Sequence, residues 1–270
     1  LSVEREREIN EFNTNSEYNV IGQFKIDGNT VKAELNKKFK TYEEAKKFVE
    51  DCQSKEFAVK DVTKKDGKKS PAPPFTTSTL QQEAGRKLGY SVSQTMRYAQ
   101  NLYENGFITY MRTASLNLSS LAINTIKDCI IANYGEEYLQ TRKYQTKVKG
   151  AQEAHEAIRP TFVSNETIEA TKQEQKLYDL IRKRAIASQM ATAKIEKTVV
   201  TIGNSTEKYS FIATGETVVF DGFLKLYIES TDDDTTDDNP TTLPIINIGA
   251  NAEISKIEAI EKFDQPPSRY

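Results

Sequence analysis

Thr76–Arg112 reads TTSTLQQEAGRKLGYSVSQTMRYAQNLYENGFITYMR, and its punctuation decides how the rest of the chain is parsed. Ser78 with Gln81, and Ser91 with Gln94, each fit the S-x-x-E/Q capping box that opens a helix. Gly89 and Gly106 stand where a left-handed residue closes one. Between them Val92, Met96, Ala99 and Tyr103 recur at helical spacing and predict one apolar face. The run Phe107–Met111 that follows is β-prone. Helix, tight turn, helix and strand form the outline of a winged helix-turn-helix, a shape that often approaches nucleic acid.

The same stretch carries a resemblance. PFTTSTLQQEAGRKLGY (Pro74–Tyr90), LYENGFITYMRT (Leu102–Thr113) and QEAHEAIRPT (Gln152–Thr161) resemble the core of the type IA DNA topoisomerases, the bacterial topoisomerase I branch in particular. Three motifs in the family's order and spacing make a specific match. EREREI (Glu4–Ile9), the turn Phe220-Asp221-Gly222-Phe223 and the terminal Pro266-Pro267-Ser268-Arg269-Tyr270 look like further landmarks of that family, so the resemblance covers nearly all of the chain.

At 270 residues the chain has room for two domains. It starts at Leu1 without an initiator Met and stops after a Pro-Pro turn, and is read as a piece of a longer protein. No apolar run approaches the ~20 residues a membrane span needs, and the charged N-terminus is unlike a signal peptide. Cys52 and Cys129 lack ligand spacing and there is one histidine, so no zinc site is expected and reduced, cytoplasmic thiols are. Thirty-seven basic residues against 39 acidic ones leave a formal charge of −2, which argues against strong non-specific duplex binding while allowing a local groove for a strand.

In chain order, Leu1–Phe12 reads as a charged helix, and Tyr18–Ile26 and Val31–Leu35 as strands joined at Asp27-Gly28-Asn29. A helix begins at Thr41, boxed by Glu44, and Phe57–Val62 is a strand. Lys64–Pro74, KKDGKKSPAPP, reads as a basic, Pro-rich linker and the clearest boundary. Ser119 or Ser120 caps a helix bearing Ala122, Ile126, Cys129 and Ile130. Gly135–Gly150 is polar and irregular. Ala151–Ile158 makes a helical turn or two, and Thr171–Ala193 a long helix with Leu177, Leu180, Ile181 and Ala185 inward. Beyond Lys194 the period returns toward two, with strands at Thr198–Ile202, Tyr209–Ala213, Val218–Phe220, Leu224–Ile228 and Ala252–Ile257 and an acidic loop at Asp232–Asn239. The expected fold is mixed α+β. A β-rich arch built from residues 1–70 and 194–270 is interrupted by a mainly helical, winged-helix-like insert, 71–193, that carries a catalytic tyrosine at the arch's far end, as in the type IA core.

Read alone, a tyrosine in FITYM packs a strand. The resemblance makes Tyr110 the family's nucleophile: a phenol can attack a phosphodiester phosphorus, store the bond as a phosphotyrosine and leave a free sugar hydroxyl. Arg112, two residues on, falls on the same face of a strand, where a guanidinium can hold the scissile phosphate; the family gives it that role. The resemblance also implies a phosphate contact for His155, otherwise an ordinary surface histidine, and a single-strand channel along Gln100 and Glu104, with Arg97 nearby, otherwise a solvated helix face. Thr109 and Met111 flank the nucleophile in support. Arg159 reads as structural as readily as functional, pairing with Glu153 or Glu156.

Ala114 in MRTAS stands where the family usually has an acidic residue, one expected to act across the interface with the metal-binding domain. The family builds its Mg2+ site in an N-terminal Toprim domain, and the Asp232–Asp238 loop is not read as a substitute. The resemblance therefore implies a fragment without the Toprim and adjoining domains, inactive alone, from a monomeric, cytoplasmic, nucleoid-associated enzyme. That enzyme cuts one strand of underwound DNA through a 5′-phosphotyrosine, passes the other strand and reseals, relaxing negative supercoils. Two other readings compete. A winged-helix binder of nucleic acid without covalent chemistry predicts a buried Tyr110 and positive potential along Ser91–Gly106. A β-arch serving as hinge or spacer predicts no strand binding.

Overall fold

Asp27 and Gly28 both adopt positive φ, 48° and 80°, the two-residue turn whose twist suits a tight hairpin. They join β1 (Ser16–Ile26) to β2 (Asn29–Phe39) with Ile26 opposite Asn29. The computed structural model describes Glu4, Arg7, Glu8 and residues 15–144, 155–206, 208–228 and 242–263. Most of Leu1–Phe12, the acidic Asp232–Asn239 loop, Glu153 and the Pro266–Tyr270 terminus lie outside the described residues.

After α1 (Tyr42–Cys52) come β3 (Phe57–Lys69), β4 (Ala193–Gly203), β5 (Phe211–Phe220) and β6 (Asn251–Phe263). The strands close into a barrel ordered β1-β2-β5-β4-β3-β6. Its interior is aromatic: Phe24, Phe57 and Phe211 are fully buried and meet edge-on with ring centroids 5.1–5.8 Å apart. Thr41 caps α1 through its hydroxyl on the Glu44 N–H. The strands predicted at Tyr18–Ile26, Val31–Leu35, Phe57–Val62, Thr198–Ile202 and Ala252–Ile257 are present but longer. Lys64–Lys69, expected as linker, continues β3, and the two predicted pieces around Thr214–Thr217 form one strand.

A second compact unit contains Asp66–Ile195 and, among the later described residues, Val218–Ile228. Its helices are α2 (Thr77–Leu88), α3 (Val92–Glu104), α4 (Ser120–Tyr134) and α5 (Lys172–Ser188). Leu177, Ile181 and Ala185 of α5 are completely buried at the centre, against Leu80 and Ala84 of α2, Ala99 and Leu102 of α3, and Ile126 and Ile130 of α4. Ser91, Ser119 and Thr171 cap α3, α4 and α5.

The structure departs from local sequence expectations at four places in this unit. The cap of α2 is Thr76, boxed with Thr79, rather than Ser78, because Phe75 is locked into the core and the helix turns immediately after it. The buried face of α3 is Thr95, Ala99 and Leu102, leaving Val92 and Tyr103 exposed. The two stripes share Ala99. Thr95 can be buried because its hydroxyl donates to the Ser91 carbonyl at 2.9 Å. Residues 107–111 form no strand but a bend with one bridge, Ile108 to Pro160. Residues 155–158 are not helical, and Ile158 bridges Phe75 instead.

Leu224–Ile228 is likewise no strand. Gly222–Lys225 forms a short 3-10 helix that buries Phe223 and Tyr227, four residues apart, in the helical core. Gly222 makes this possible, with φ of +51° and backbone so close that an added Cβ meets the Ala191 oxygen at 2.4 Å and Thr192 and Ala193 backbone atoms at 2.9 Å. Left-handed strain alone costs about 1–2 kcal/mol for a non-glycine residue, and none of these neighbours is a side chain that can move aside. Gly222→Ala is expected to destabilise the protein by at least about 2 kcal/mol, read as a lower urea midpoint with unchanged slope. A midpoint equal to wild type contradicts this packing.

Candidate active site

The three segments quoted above are brought together by backbone hydrogen bonds although they are far apart in sequence. The Ile158 N–H donates to the Phe75 carbonyl at 2.8 Å, Thr109 N–H to Arg159 carbonyl at 2.9 Å, Thr161 N–H to Phe107 carbonyl at 2.9 Å, and Thr77 N–H to Thr113 carbonyl at 3.0 Å. Arg184 of α5 holds the entry to α2, donating to the Pro73 carbonyl at 2.6 Å and lying over the Phe75 ring. Tyr110 sits at the centre of this junction.

Exposure alternates along the segment without a ladder to impose it. Met111, Thr113 and Ser115 are buried, while Tyr110, Arg112 and Ala114 face out. Tyr110 and Arg112 are thus both exposed with Met111 buried between them, a pattern produced by side-chain anchoring rather than by a strand. Tyr110 is 40% exposed, unlike the buried tyrosine that the pure binding-module reading requires. Its ring meets Tyr103 edge-on, centroids 5.2 Å apart. Arg112 pairs with no carboxylate among the described residues.

Gln100, Tyr103 and Glu104 lie at i, i+3 and i+4 and share a face of α3. The Gln100 amide donates to Glu104 at 2.6 Å, and Tyr103 carries that face to Tyr110. Arg97 and Glu104 are the charged residues of α3, so the helix carries no net positive charge. Asn101 ties α3 to α5 by donating to Glu174 at 2.7 Å. This bond, with those from Thr171, outweighs burial and holds the Glu174 carboxyl below its ordinary range.

Thr109 and Met111 face inward. The Thr109 hydroxyl donates to the Ala157 carbonyl at 2.7 Å and accepts from the Arg159 N–H at 3.0 Å, and Met111 is wholly buried. Both hold Tyr110 from behind. His155 is exposed, two residues before the Ala157 that Thr109 grips. Glu156 beside it is a structural hub: one oxygen accepts the Ser119 N–H at 2.5 Å, the other the Arg159 guanidinium at 2.6 and 3.1 Å. Burial pushes the Glu156 carboxyl up, but the bonds from Arg159 and Ser119 prevail and hold it below the usual carboxylate range. Arg159 is thus committed to Glu156 and the Pro160 carbonyl.

Two residues of this junction escape sequence reading. Tyr103 is read as core, although its spacing to Gln100 hints at the polar face. Thr77 is hidden in a run of hydroxyl residues, where a helix uses one as its cap and a second needs another partner. Among the described residues no group of three or more His, Cys, Asp or Glu is arranged to hold a metal ion, and no helix is long and apolar enough to cross a membrane.

A family model described as DNA topoisomerase matches residues 1–270. The chain is 46% identical over 226 residues to the DNA topoisomerase 1 of Zymomonas mobilis, covering 82% of this chain and 19% of that protein. It is 39% identical over 299 residues to the DNA topoisomerase 1 of Xylella fastidiosa, covering all of this chain and 37% of that one. The solved structure of full-length topoisomerase I from Thermotoga maritima superimposes with a TM-score of 0.74 at 34% identity, covering the whole chain and 44% of the larger one. The chain thus spans less than half the length of each of these relatives.

Proposed function

The chain belongs to the DNA topoisomerase family, and from that membership we propose that it is the strand-cleaving part of a type IA enzyme that relaxes negatively supercoiled DNA. The observation that carries the proposal is an exposed Tyr110 whose neighbours on both sides are pinned at the junction of three motif segments. In this reading the Tyr110 oxygen bonds to a backbone phosphorus as the bond from phosphorus to O3′ breaks. The phenolic proton is lost, and the leaving oxygen takes up a proton as a free 3′-hydroxyl. The 5′-phosphotyrosine preserves the phosphodiester's energy, so attack by that hydroxyl reseals the strand without ATP.

Arg112, exposed like Tyr110, grips the scissile phosphate and stabilises the charge that builds on it. His155 contacts an adjacent phosphate. Gln100 and Glu104, with Tyr103, line the path of the single strand, while Thr109 and Met111 support the nucleophile. The domain assignment follows the same reading: residues 1–70 and 194–270 form the arch and 71–193 the tyrosine-bearing insert. Among the described residues no cluster of His, Cys, Asp or Glu is arranged to hold magnesium. We assign that requirement to a Toprim domain in the longer enzyme, which we take to be a monomer working in the cytoplasm.

The test uses the intact protein containing this segment, with magnesium and a negatively supercoiled plasmid but no ATP. A ladder of progressively relaxed topoisomers is expected. A protein that binds single strands yet leaves the plasmid unrelaxed and forms no covalent adduct is a binding module, and the proposal fails.

A further inference from the structure

Resting on the reading of Tyr110 as nucleophile, we propose that Thr77 is a positioning residue for strand cleavage. Its hydroxyl and its N–H fix the backbone from Met111 to Thr113, and so set where Tyr110 and Arg112 stand relative to one phosphate.

Four hydrogen bonds converge on this residue. The Thr77 hydroxyl donates to the Met111 carbonyl at 2.7 Å and, more weakly, to the Thr113 carbonyl at 3.1 Å. The same oxygen accepts the Thr113 N–H at 2.9 Å, and the Thr77 N–H donates to the Thr113 carbonyl at 3.0 Å. Both carbonyls flanking Arg112 and the amide after it are therefore held by one side chain and its own backbone. Among the described residues, no backbone-to-backbone hydrogen bond reaches Tyr110, Met111 or Arg112. No ladder does this work.

The ordinary role for a threonine at this point is to cap the helix, but α2 is already capped. The Thr76 hydroxyl accepts the Thr79 N–H at 3.3 Å, and the Thr79 hydroxyl accepts the Thr76 N–H at 2.9 Å, which completes the box. Thr77 is left to spend its hydroxyl on the segment bearing Tyr110. Because Thr77 is the first residue of α2, the segment takes its position from a rigid helix whose Leu80 and Ala84 are fully buried. On the other side Thr109 grips Ala157. The nucleophile is thus suspended between two threonine hydroxyls.

Reactions between aligned groups lose on the order of 100-fold in rate for a displacement of about 1 Å. Thr77→Val keeps the shape and removes the hydroxyl, and Thr77→Ser keeps the hydroxyl. In the intact enzyme, the affinity for a short labelled single strand is measured without magnesium, and the single-turnover rate of covalent adduct formation with it. Thr77→Val is expected to slow adduct formation about 10- to 100-fold with affinity within about twofold of wild type, and Thr77→Ser to recover to within about threefold. Wild-type speed in Thr77→Val overturns the proposal, as does a serine variant as slow as the valine one, since a methyl contact then matters rather than the hydroxyl. If Thr77→Val lacks a thermal unfolding transition, Thr77→Cys, with its weaker donor, carries the same comparison. An adduct that persists in Tyr110→Phe refutes the nucleophile assignment and removes the proposal with it. A wild-type adduct that Tyr110→Phe abolishes and Thr77→Val leaves untouched refutes only the role of Thr77.

Discussion

Tyr110→Phe in the intact enzyme is expected to abolish the covalent adduct on a labelled single strand trapped with denaturant, while leaving fold and strand affinity near wild type. The variant loses one oxygen. The ring keeps its edge-on contact with Tyr103, and at 40% exposure the position lies outside the tightly packed core. Stability should therefore stay within about 0.5 kcal/mol of wild type, the usual range for such surface changes. Chemistry should not: removing a covalent nucleophile leaves the supporting groups nothing to activate, and losses on the order of 10⁴-fold or more follow. In the wild-type adduct the linked phosphate maps to the 5′ side of the break. An adduct undiminished in Tyr110→Phe identifies another nucleophile, and a 3′ link overturns the polarity.

The parts of this fold that sequence reading reaches are those whose signals are local. Asp27-Gly28 marks a hairpin because few residues tolerate two successive positive φ angles. Ser91 and Gln94 mark the start of α3 because the box closes within four residues. Failures come where a distant partner decides. Leu224–Ile228 has strand-like composition, yet Phe223 and Tyr227 turn into the helical core once Gly222 tucks beneath Ala191–Ala193. Phe107–Met111 is β-prone too, but its partners are Arg159 and Thr161, some fifty positions on, and they meet it at one bridge, so no strand forms. The candidate site divides the same way. Tyr110 and Arg112 are legible through a motif and a period of two, and the exposure alternates as that period implies. What imposes the alternation is invisible in the motif. Thr77 lies 33 positions before Tyr110, and nothing in a threonine-rich helix start distinguishes a cap from a clamp.

Arg112→Ala carries the second large effect expected, and Arg112→Lys separates charge from geometry. The side chain is exposed, like that of Tyr110, and is paired with no carboxylate among the described residues, so its removal costs the fold little. Its proposed task arises as the phenol attacks and negative charge spreads over the phosphate oxygens, which a planar guanidinium meets with two parallel donors. Losing one preorganised donor at such a centre slows a reaction about 10²- to 10³-fold, and the alanine variant should fall in that range at saturating strand. Lysine restores the charge but offers a mobile point donor instead of a fork, so it should recover only part of the loss. The decisive quantity is where the loss appears. A slower single-turnover cleavage rate with unchanged strand affinity means that Arg112 acts on the transition state. Weaker affinity with an unchanged rate means that it only holds the strand, and the pairing of Arg112 with Tyr110 as catalytic partners is then wrong. Because the backbone on both sides of Arg112 is held by Thr77, the two variants should not be additive. Once the guanidinium is gone, the part of the Thr77 effect that runs through Arg112 has nothing left to misplace, and the double variant should be less impaired than the product of the single losses.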